Sequence, residues 1–238
     1  DVFELDYQNF ISYAKKGALM PLDDILTKDG IDTSIYNDMA LKAFSADGVQ
    51  YGVPDSFSNV VLIYNKDLFD QYNIPLPTNY SEFVEAIDAF EELGIKGFQT
   101  DWDYDYSCLE TMQGCAIPEL MSLEGTQWRM DYESETDDHQ VGLDDTVWPK
   151  VFEKYEKFLK DVRIQPGDEE LRFSPVTEAY RNGQTAMIRN TAALADNISK
   201  EDGLNSVILP YFGETSEDNW ILTYPMCQVA VSSKVEED

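Results

Sequence analysis

Residues 47–69 read DGVQYGVPDSFSNVVLIYNKDLF and carry the strongest structural signal in the chain. Asp47-Gly48 is a hairpin-type dipeptide, and alternating apolar residues follow it as in a strand until Pro54. Residues 59–64 are nearly all apolar and β-branched, which predicts a strand buried on both faces. The polar stretch DSFS at 55–58 is therefore predicted to be a binding loop between two strands.

Outward from this stretch, short strands alternate with amphipathic helices. The clearest helix is predicted over residues 148–162, where Pro149 suits a first turn and Val151, Phe152 and Phe158 lie on one wide apolar face. A second helix is predicted over 109–123, with a break near Pro118. The alternation predicts an α/β fold with mostly parallel sheets.

Composition narrows the classes of function. The chain has 238 residues, 43% of them hydrophobic, so it can bury a sizeable core. The net charge of −29 argues against nucleic acids and anionic membrane surfaces, which a strongly acidic protein repels. No apolar run reaches the length of a membrane span, and no signal peptide is recognisable.

Cysteine, histidine and clustered acids give no sign of a metal or nucleophilic centre. Cys108 and Cys115 are about two helical turns apart, roughly 10 Å, which is too far for a disulfide, so buried thiols are expected. The single histidine, His139, lies in an acidic stretch at 131–145 that is predicted to be a solvated loop. Asp101, Asp103 and Asp105 alternate as in an EF-hand, but Tyr106 and Met112 stand where that loop needs Gly and Glu. No cofactor is predicted.

Four motifs, taken in order, resemble the sugar-binding family of extracellular solute-binding proteins of ABC importers that includes the maltose-binding protein. They are DGVQYGVP at 47–54, IYNKDLF at 63–69, the proline turn and helix start PLPTNYSEF at 75–83, and YRNGQTAM at 180–187. Residues 1–6 also resemble a strand that normally lies well inside the family's proteins. The resemblance therefore implies an internal fragment of a longer protein.

The family's fold implies two lobes with central sheets flanked by helices and joined by hinge strands. Residues 1–62 would form part of the N-terminal lobe, 63–227 the C-terminal lobe, and 228–238 a return crossover. The family's function implies capture of a sugar or oligosaccharide by hinge closure, with no bond broken, and delivery to a membrane permease. It further implies a monomer at the extracellular face of the membrane, held by a lipid anchor, or in the periplasm.

An open α/β sheet binds ligands beyond the carboxyl ends of its strands, and sugars need flat apolar faces beside planar polar groups. The resemblance places Tyr104 near a stacking aromatic of the family. Ala192-Ala193 replaces the family's tryptophan, so Trp220 or Tyr224, predicted in a loop, could supply that aromatic instead. The candidate ligand-binding residues are Asp6, Ser56, Phe57, Asn59, Trp102, Asp103, Tyr104, Arg189, Asn190, Trp220 and Tyr224.

Other interpretations stay open at this stage. Trp102 and Tyr104 can equally serve packing, and Arg189 can neutralise a nearby acid instead of contacting a ligand. A glycoside hydrolase would need two carboxylates, such as Asp103 with Asp55, and a carbohydrate-binding surface module is a further alternative.

Overall fold

The computed structural model describes residues 1–133, 141–144 and 146–235. The strands are β1 (Val2–Asp6), β2 (Ser45–Ala46), β3 (Val49–Gln50), β4 (Gly52–Asn65), β5 (Lys96–Gln99), β6 (Thr185–Thr191), β7 (Ser206–Leu209) and β8 (Leu222–Val231). The helices are α1 (Tyr7–Lys15), α2 (Asp23–Lys28), α3 (Asp38–Ala43), α4 (Lys66–Tyr72), α5 (Tyr80–Glu92), α6 (Asp105–Leu120), α7 (Leu123–Glu133), α8 (Trp148–Asp161), α9 (Phe173–Arg181) and α10 (Ala192–Asp202).

The chain divides into two compact units. Unit 1 comprises Asp1–Ser58 together with Thr223–Asp238, and unit 2 comprises Asn59–Leu222. These divisions fall a few residues before the predicted lobe boundaries at 62 and 227. Strand β4 contributes its first half to unit 1 and its second half to unit 2.

In unit 1, β1 pairs antiparallel with β8, so that Val2 lies opposite Val231, and β8 in turn neighbours β4. Gly52 of β4 lies directly against the side chain of Gln228, where a Cβ atom would clash with the amide oxygen. The core of this unit is built on Phe10, Ala14, Leu19, Phe44 and Ala230. The Phe10 and Phe44 rings meet edge to face at 5.7 Å between centroids.

The hairpin predicted at Asp47-Gly48 is confirmed. It joins β2 to β3, which pair antiparallel with Ala46 opposite Val49. Both turn residues are left-handed, with φ of 51° at Asp47 and 79° at Gly48. These are the dihedrals that favour Asp-Gly in a two-residue hairpin loop.

The binding loop predicted at 55–58 is wrong, because β4 runs without interruption from Gly52 to Asn65 through Pro54. Pairing of β4 with β6 and β7 starts only at Val60 and Leu62. Pro54 therefore lies before the residues that pair with β6 and β7, so its missing N–H interrupts neither of these two pairings. Ser56 and Phe57 are strand residues rather than loop residues.

The strands of unit 2 are ordered β7-β4-β6-β5. β5 is parallel to β6, whereas β4 is antiparallel to both β6 and β7, so β5, β6 and β7 share one direction and β4 runs against them. The prediction of mostly parallel sheets is right for the β5–β6 pair alone among the pairings described, whereas the pairings of β4 with β6 and β7 and of β1 with β8 are antiparallel, so the sheet is mixed. The alternation of helices and strands in the sequence does not predict the direction of β4. This strand enters unit 2 directly from unit 1, without the crossover helix that makes neighbouring strands parallel.

The buried strand predicted at 59–64 is confirmed in its apolar part, because every residue from Val60 to Tyr64 is buried. On one face of the sheet, Val61 and Ile63 pack with Ile188 and Tyr180. The buried apolar face of α8 is narrower than predicted. Val151 and Phe158 are buried, but Phe152 remains 46% exposed beside Trp148.

The break predicted near Pro118 is wrong, because helix α6 continues through Pro118 to Leu120. The predicted acidic loop at 131–145 starts inside helix α7, and its residues 134–140 and 145, which include His139, lie outside the described residues. Among the helices that the structure describes, none has the length and apolarity to cross a membrane.

Candidate functional site

The loop after β5 carries the densest group of predicted site residues. Residues 100–104 leave the strand and lead into α6, with Tyr104 in the N-cap position. Tyr104 is 58% exposed, and its ring centroid lies 6.2 Å from that of Tyr106. Trp102 is half-buried and Asp103 is exposed. The loop thus presents an aromatic face and a carboxylate to solvent, the combination that sugar recognition requires.

Asp103 is held by the segment that leads into α9. Its backbone N–H donates to the carbonyl of Leu171 at 3.0 Å, and its carboxylate accepts from Nε of Arg172 at 2.8 Å. Two separate stretches of sequence therefore meet at Asp103. Arg172 was not among the predicted site residues.

Beneath this loop lies a buried ionic cluster centred on Arg189, which is 4% exposed. The guanidinium contacts the carboxylate of Glu110, and its Nη1 lies 4.0 Å from Oδ1 of Asp101 and donates to Ser107 at 3.3 Å. The Ser107 hydroxyl donates to Oδ2 of Asp101 at 2.8 Å. The structure thus gives Arg189 the role of neutralising buried acids, which the sequence had left as one of two interpretations.

Arg189 and Asn190 lie within β6, which extends to Thr191, and not in a loop beyond the carboxyl end of the strand, where a ligand site of an α/β sheet is expected. Successive strand residues point to opposite faces of a sheet, so these two side chains cannot line the same site. Asn190 is half-buried, and its Oδ1 accepts from the N–H of Thr191 at 2.8 Å.

The thiols predicted to be buried and unpaired are free cysteines, with Cys115 buried and Cys108 half-buried. The Cys108 thiol donates to the carbonyl of Trp102 at 3.2 Å. Burial, and to a lesser degree the nearby carboxylate of Asp101, raises the pKa of Cys108 above its ordinary value. The thiol therefore stays protonated and helps to hold the loop. The side chain of Cys227 lies outside the described part of the structure.

Trp220 lies near the other end of α6. Its indole Nε1 donates to the carbonyl of Gly114 at 2.5 Å. Gly114 is ten residues after Tyr104, which corresponds to about 15 Å along the helix. Trp220 lines a cavity of about 500 Å³ together with Tyr80, Phe212 and other aromatic residues. Within unit 2, the exposed loop and this cavity are separate features.

The remaining predicted residues are distributed as follows. In unit 1, Asp6 ends β1 and caps α1 by accepting from the N–H of Asn9 at 2.8 Å. Ser56 and the exposed Phe57 belong to β4, and Tyr224 lies within β8 rather than in a loop. In unit 2, Asn59 is exposed at the start of the second half of β4.

Among residues 1–133, 141–144 and 146–235, no group of three or more His, Cys, Asp or Glu side chains is placed to hold a metal ion.

Residues 1–226 match the sequence profile of a family described as bacterial extracellular solute-binding protein. The chain belongs to this family. No curated protein matches the chain in sequence.

Solved structures of solute-binding proteins share the fold. A chitin oligosaccharide binding protein superposes with a TM-score of 0.75 at 19% identity, covering 99% of this chain and 58% of its own. An ABC substrate-binding protein from Listeria monocytogenes in complex with cycloalternan gives 0.72 at 24% identity, covering 99% and 57%. RafE in complex with raffinose gives 0.75 at 18% identity, covering 99% and 60%. The chain of this solute-binding protein thus spans less than two thirds of the length of these relatives.

Sequence reasoning missed Arg172 and Glu110 as parts of the site region. Arg172 stands in the stretch LRFSP, far along the chain from Asp103, and no local pattern links the two. Glu110 lies on α6 one turn after Ser107 and faces inward, a position that an acid rarely takes unless a buried base is opposite. Only the tertiary contacts of Arg172 with Asp103 and of Glu110 with Arg189 reveal these two residues.

Proposed function

We propose that the complete protein is the substrate-binding component of an ABC importer and that it captures a sugar or oligosaccharide. The observation that carries this proposal is the loop after β5, where the exposed Tyr104 ring stands beside the Asp103 carboxylate in a member of the solute-binding family. Relatives of the same fold are described as binding chitin oligosaccharide, cycloalternan and raffinose, which supports a carbohydrate ligand.

The loop suits a neutral, hydroxylated ligand. An aromatic ring packs against the apolar C–H face of a pyranose, and a carboxylate accepts hydrogen bonds from its hydroxyl groups. The net charge of −29 disfavours an anionic ligand over most of the surface. Trp102, Asp103 and Tyr104 of unit 2 would supply these contacts.

Capture would proceed by hinge closure of two lobes, of which units 1 and 2 are parts. The polypeptide passes between the units within β4 and again where β8 begins, so two strands carry the connection. A ligand that contacts both lobes binds the closed state better and shifts the population toward it. The ligand is then released unaltered to a membrane permease. The protein acts at the extracellular face of the cell membrane, held by a lipid anchor, or in the periplasm.

A thermal-shift screen on the complete protein tests this proposal. Raffinose, maltotriose and chitotriose are added over a concentration series, and the carbohydrate is recovered and analysed afterwards. The proposal predicts that at least one compound raises the melting temperature in proportion to the logarithm of its concentration and is recovered intact. Cleavage of the compound would support the glycoside hydrolase, and no shift with any carbohydrate would contradict a sugar carrier.

A further inference from the structure

Asp103 is joined to the segment that carries Arg172 by a backbone hydrogen bond in addition to their ion pair. Nε of Arg172 donates to Oδ2 of Asp103 at 2.8 Å, and the backbone N–H of Asp103 donates to the carbonyl of Leu171, the residue before Arg172. The two segments are therefore tied by main chain as well as side chain. This double connection fixes a carboxylate and a guanidinium side by side at the edge of the candidate site.

The pair also keeps unused hydrogen-bonding capacity. A guanidinium has five N–H donors, and the bond to Asp103 uses one of them. The Arg172 side chain is 80% exposed, so its remaining donors face solvent. The Asp103 side chain is 40% exposed, and a carboxylate can accept several hydrogen bonds at once. Next to Asp103 in sequence stands the exposed ring of Tyr104.

We infer that Asp103 and Arg172 together form a diol clamp, in which the carboxylate accepts from one hydroxyl of a sugar and the guanidinium donates to the adjacent hydroxyl. This inference rests on the proposed function and specifies the chemical class of ligand: a neutral saccharide that presents two vicinal hydroxyls beside an apolar ring face. The opposite charges of the clamp cancel, so it offers an anionic sugar no net attraction. The planar fork of arginine fits such paired contacts, which a lysine cannot reproduce.

Calorimetric titration of the complete protein with raffinose, maltotriose and chitotriose tests the clamp. Arg172→Ala is expected to weaken binding of the saccharide that the wild-type protein binds by about ten- to a hundredfold, which is typical for a lost hydrogen bond to a charged group. Arg172→Lys should recover only part of the affinity, because the charge remains while the fork is lost. Both variants should melt within a few degrees of the wild type, since the pair is exposed.

Arg181→Ala provides the matched control. Arg181 is also partly exposed in unit 2 and forms ion pairs with Glu201 and Asp202. Its removal should leave the dissociation constant unchanged.

The outcomes separate the two proposals. If the wild-type protein binds a saccharide and Arg172→Ala binds it equally well, the clamp is wrong while the carrier function stands. If Arg172→Ala and Arg181→Ala weaken binding equally, the effect is one of charge alone and the clamp is also wrong. If the wild-type protein binds none of the three saccharides, the proposed function fails, and the clamp fails with it.

Discussion

The buried ionic cluster around Arg189 supports the loop that carries Trp102 and Tyr104. One guanidinium faces two carboxylates, those of Glu110 and Asp101, and all three side chains are at least nine-tenths buried. Removing the only cation from such a cluster leaves buried negative charge uncompensated, which costs far more than the loss of an exposed pair.

Arg189→Met is therefore expected to lower the free energy of unfolding by about 3–5 kcal/mol, as is typical when one partner of a buried ion pair is removed. Arg181→Met, which breaks partly exposed pairs, should cost at most about 1 kcal/mol. Urea unfolding at pH 7 measures both values. Equal and small costs for the two variants would show that Arg189 does not compensate buried acids.

A single tyrosine gives a test of pH dependence. Tyr180 is fully buried and donates to Ser206 at 2.9 Å, and burial raises its pKa well above the ordinary value of 10. Above pH 10 the unfolded chain loses this proton while the folded protein keeps it, so stability that is present below pH 10 is lost as the pH rises.

Tyr180→Phe should reduce that alkaline loss by about 1 kcal/mol per pH unit above pH 10, although it costs roughly 1 kcal/mol near neutrality through the lost hydrogen bond. Denaturant unfolding between pH 8 and 11 compares the two proteins. Parallel curves for wild type and variant would contradict a buried, protonated Tyr180.

Helix α6 contains a compensation that explains why it survives a proline. Pro118 has no N–H to give to the carbonyl of Gly114, four residues earlier. The indole Nε1 of Trp220 donates to that carbonyl instead, at 2.5 Å. The absence of a side chain at Gly114 is also required, because a Cβ there would lie 2.2 Å from the ring of Tyr211.

A double-mutant cycle tests this compensation. Trp220→Phe should destabilise the protein by about 1–3 kcal/mol, because the buried Gly114 carbonyl loses its donor. In the background of Pro118→Ala, the new N–H at position 118 can serve that carbonyl, so the same substitution should cost about 1 kcal/mol less. The change in side-chain size is common to both arms and cancels. A coupling energy near zero would contradict the compensation.

At the level of elements, the sequence predicts what local chemistry determines. The Asp47-Gly48 hairpin and the apolar strand ending at Tyr64 follow from turn propensity and hydrophobicity alone. The continuity of β4 through Pro54 and of α6 through Pro118 does not, because each depends on partners far along the chain. The same holds for the direction of β4, which tertiary pairing decides.

For the whole molecule, the order of four motifs is sufficient to predict the family, and the match over residues 1–226 confirms this prediction. The candidate site could be predicted only in part. The sequence shows a recognisable pattern of aromatic and acidic residues at Trp102, Asp103 and Tyr104. Arg172 contacts Asp103 from 69 positions further along the chain, and no local sequence pattern predicts this contact. The sequence predicts Arg189 as a ligand-binding residue, with neutralisation of a nearby acid as the alternative, and its burial against Glu110 depends on a tertiary contact between β6 and α6 that no local pattern indicates.

Calorimetric titration of the complete protein, wild type and Tyr104→Ala, with the saccharide that gives the largest shift in the thermal screen tests directly whether the loop after β5 binds sugar. Tyr132→Ala is the matched control, since Tyr132 is an equally exposed tyrosine, 54% exposed, that stacks on Trp128 within helix α7. We expect saturable binding to the wild type and to Tyr132→Ala, and binding at least tenfold weaker in Tyr104→Ala, with the saccharide recovered unchanged. Equal affinity in all three proteins would contradict the assignment of this loop to sugar capture.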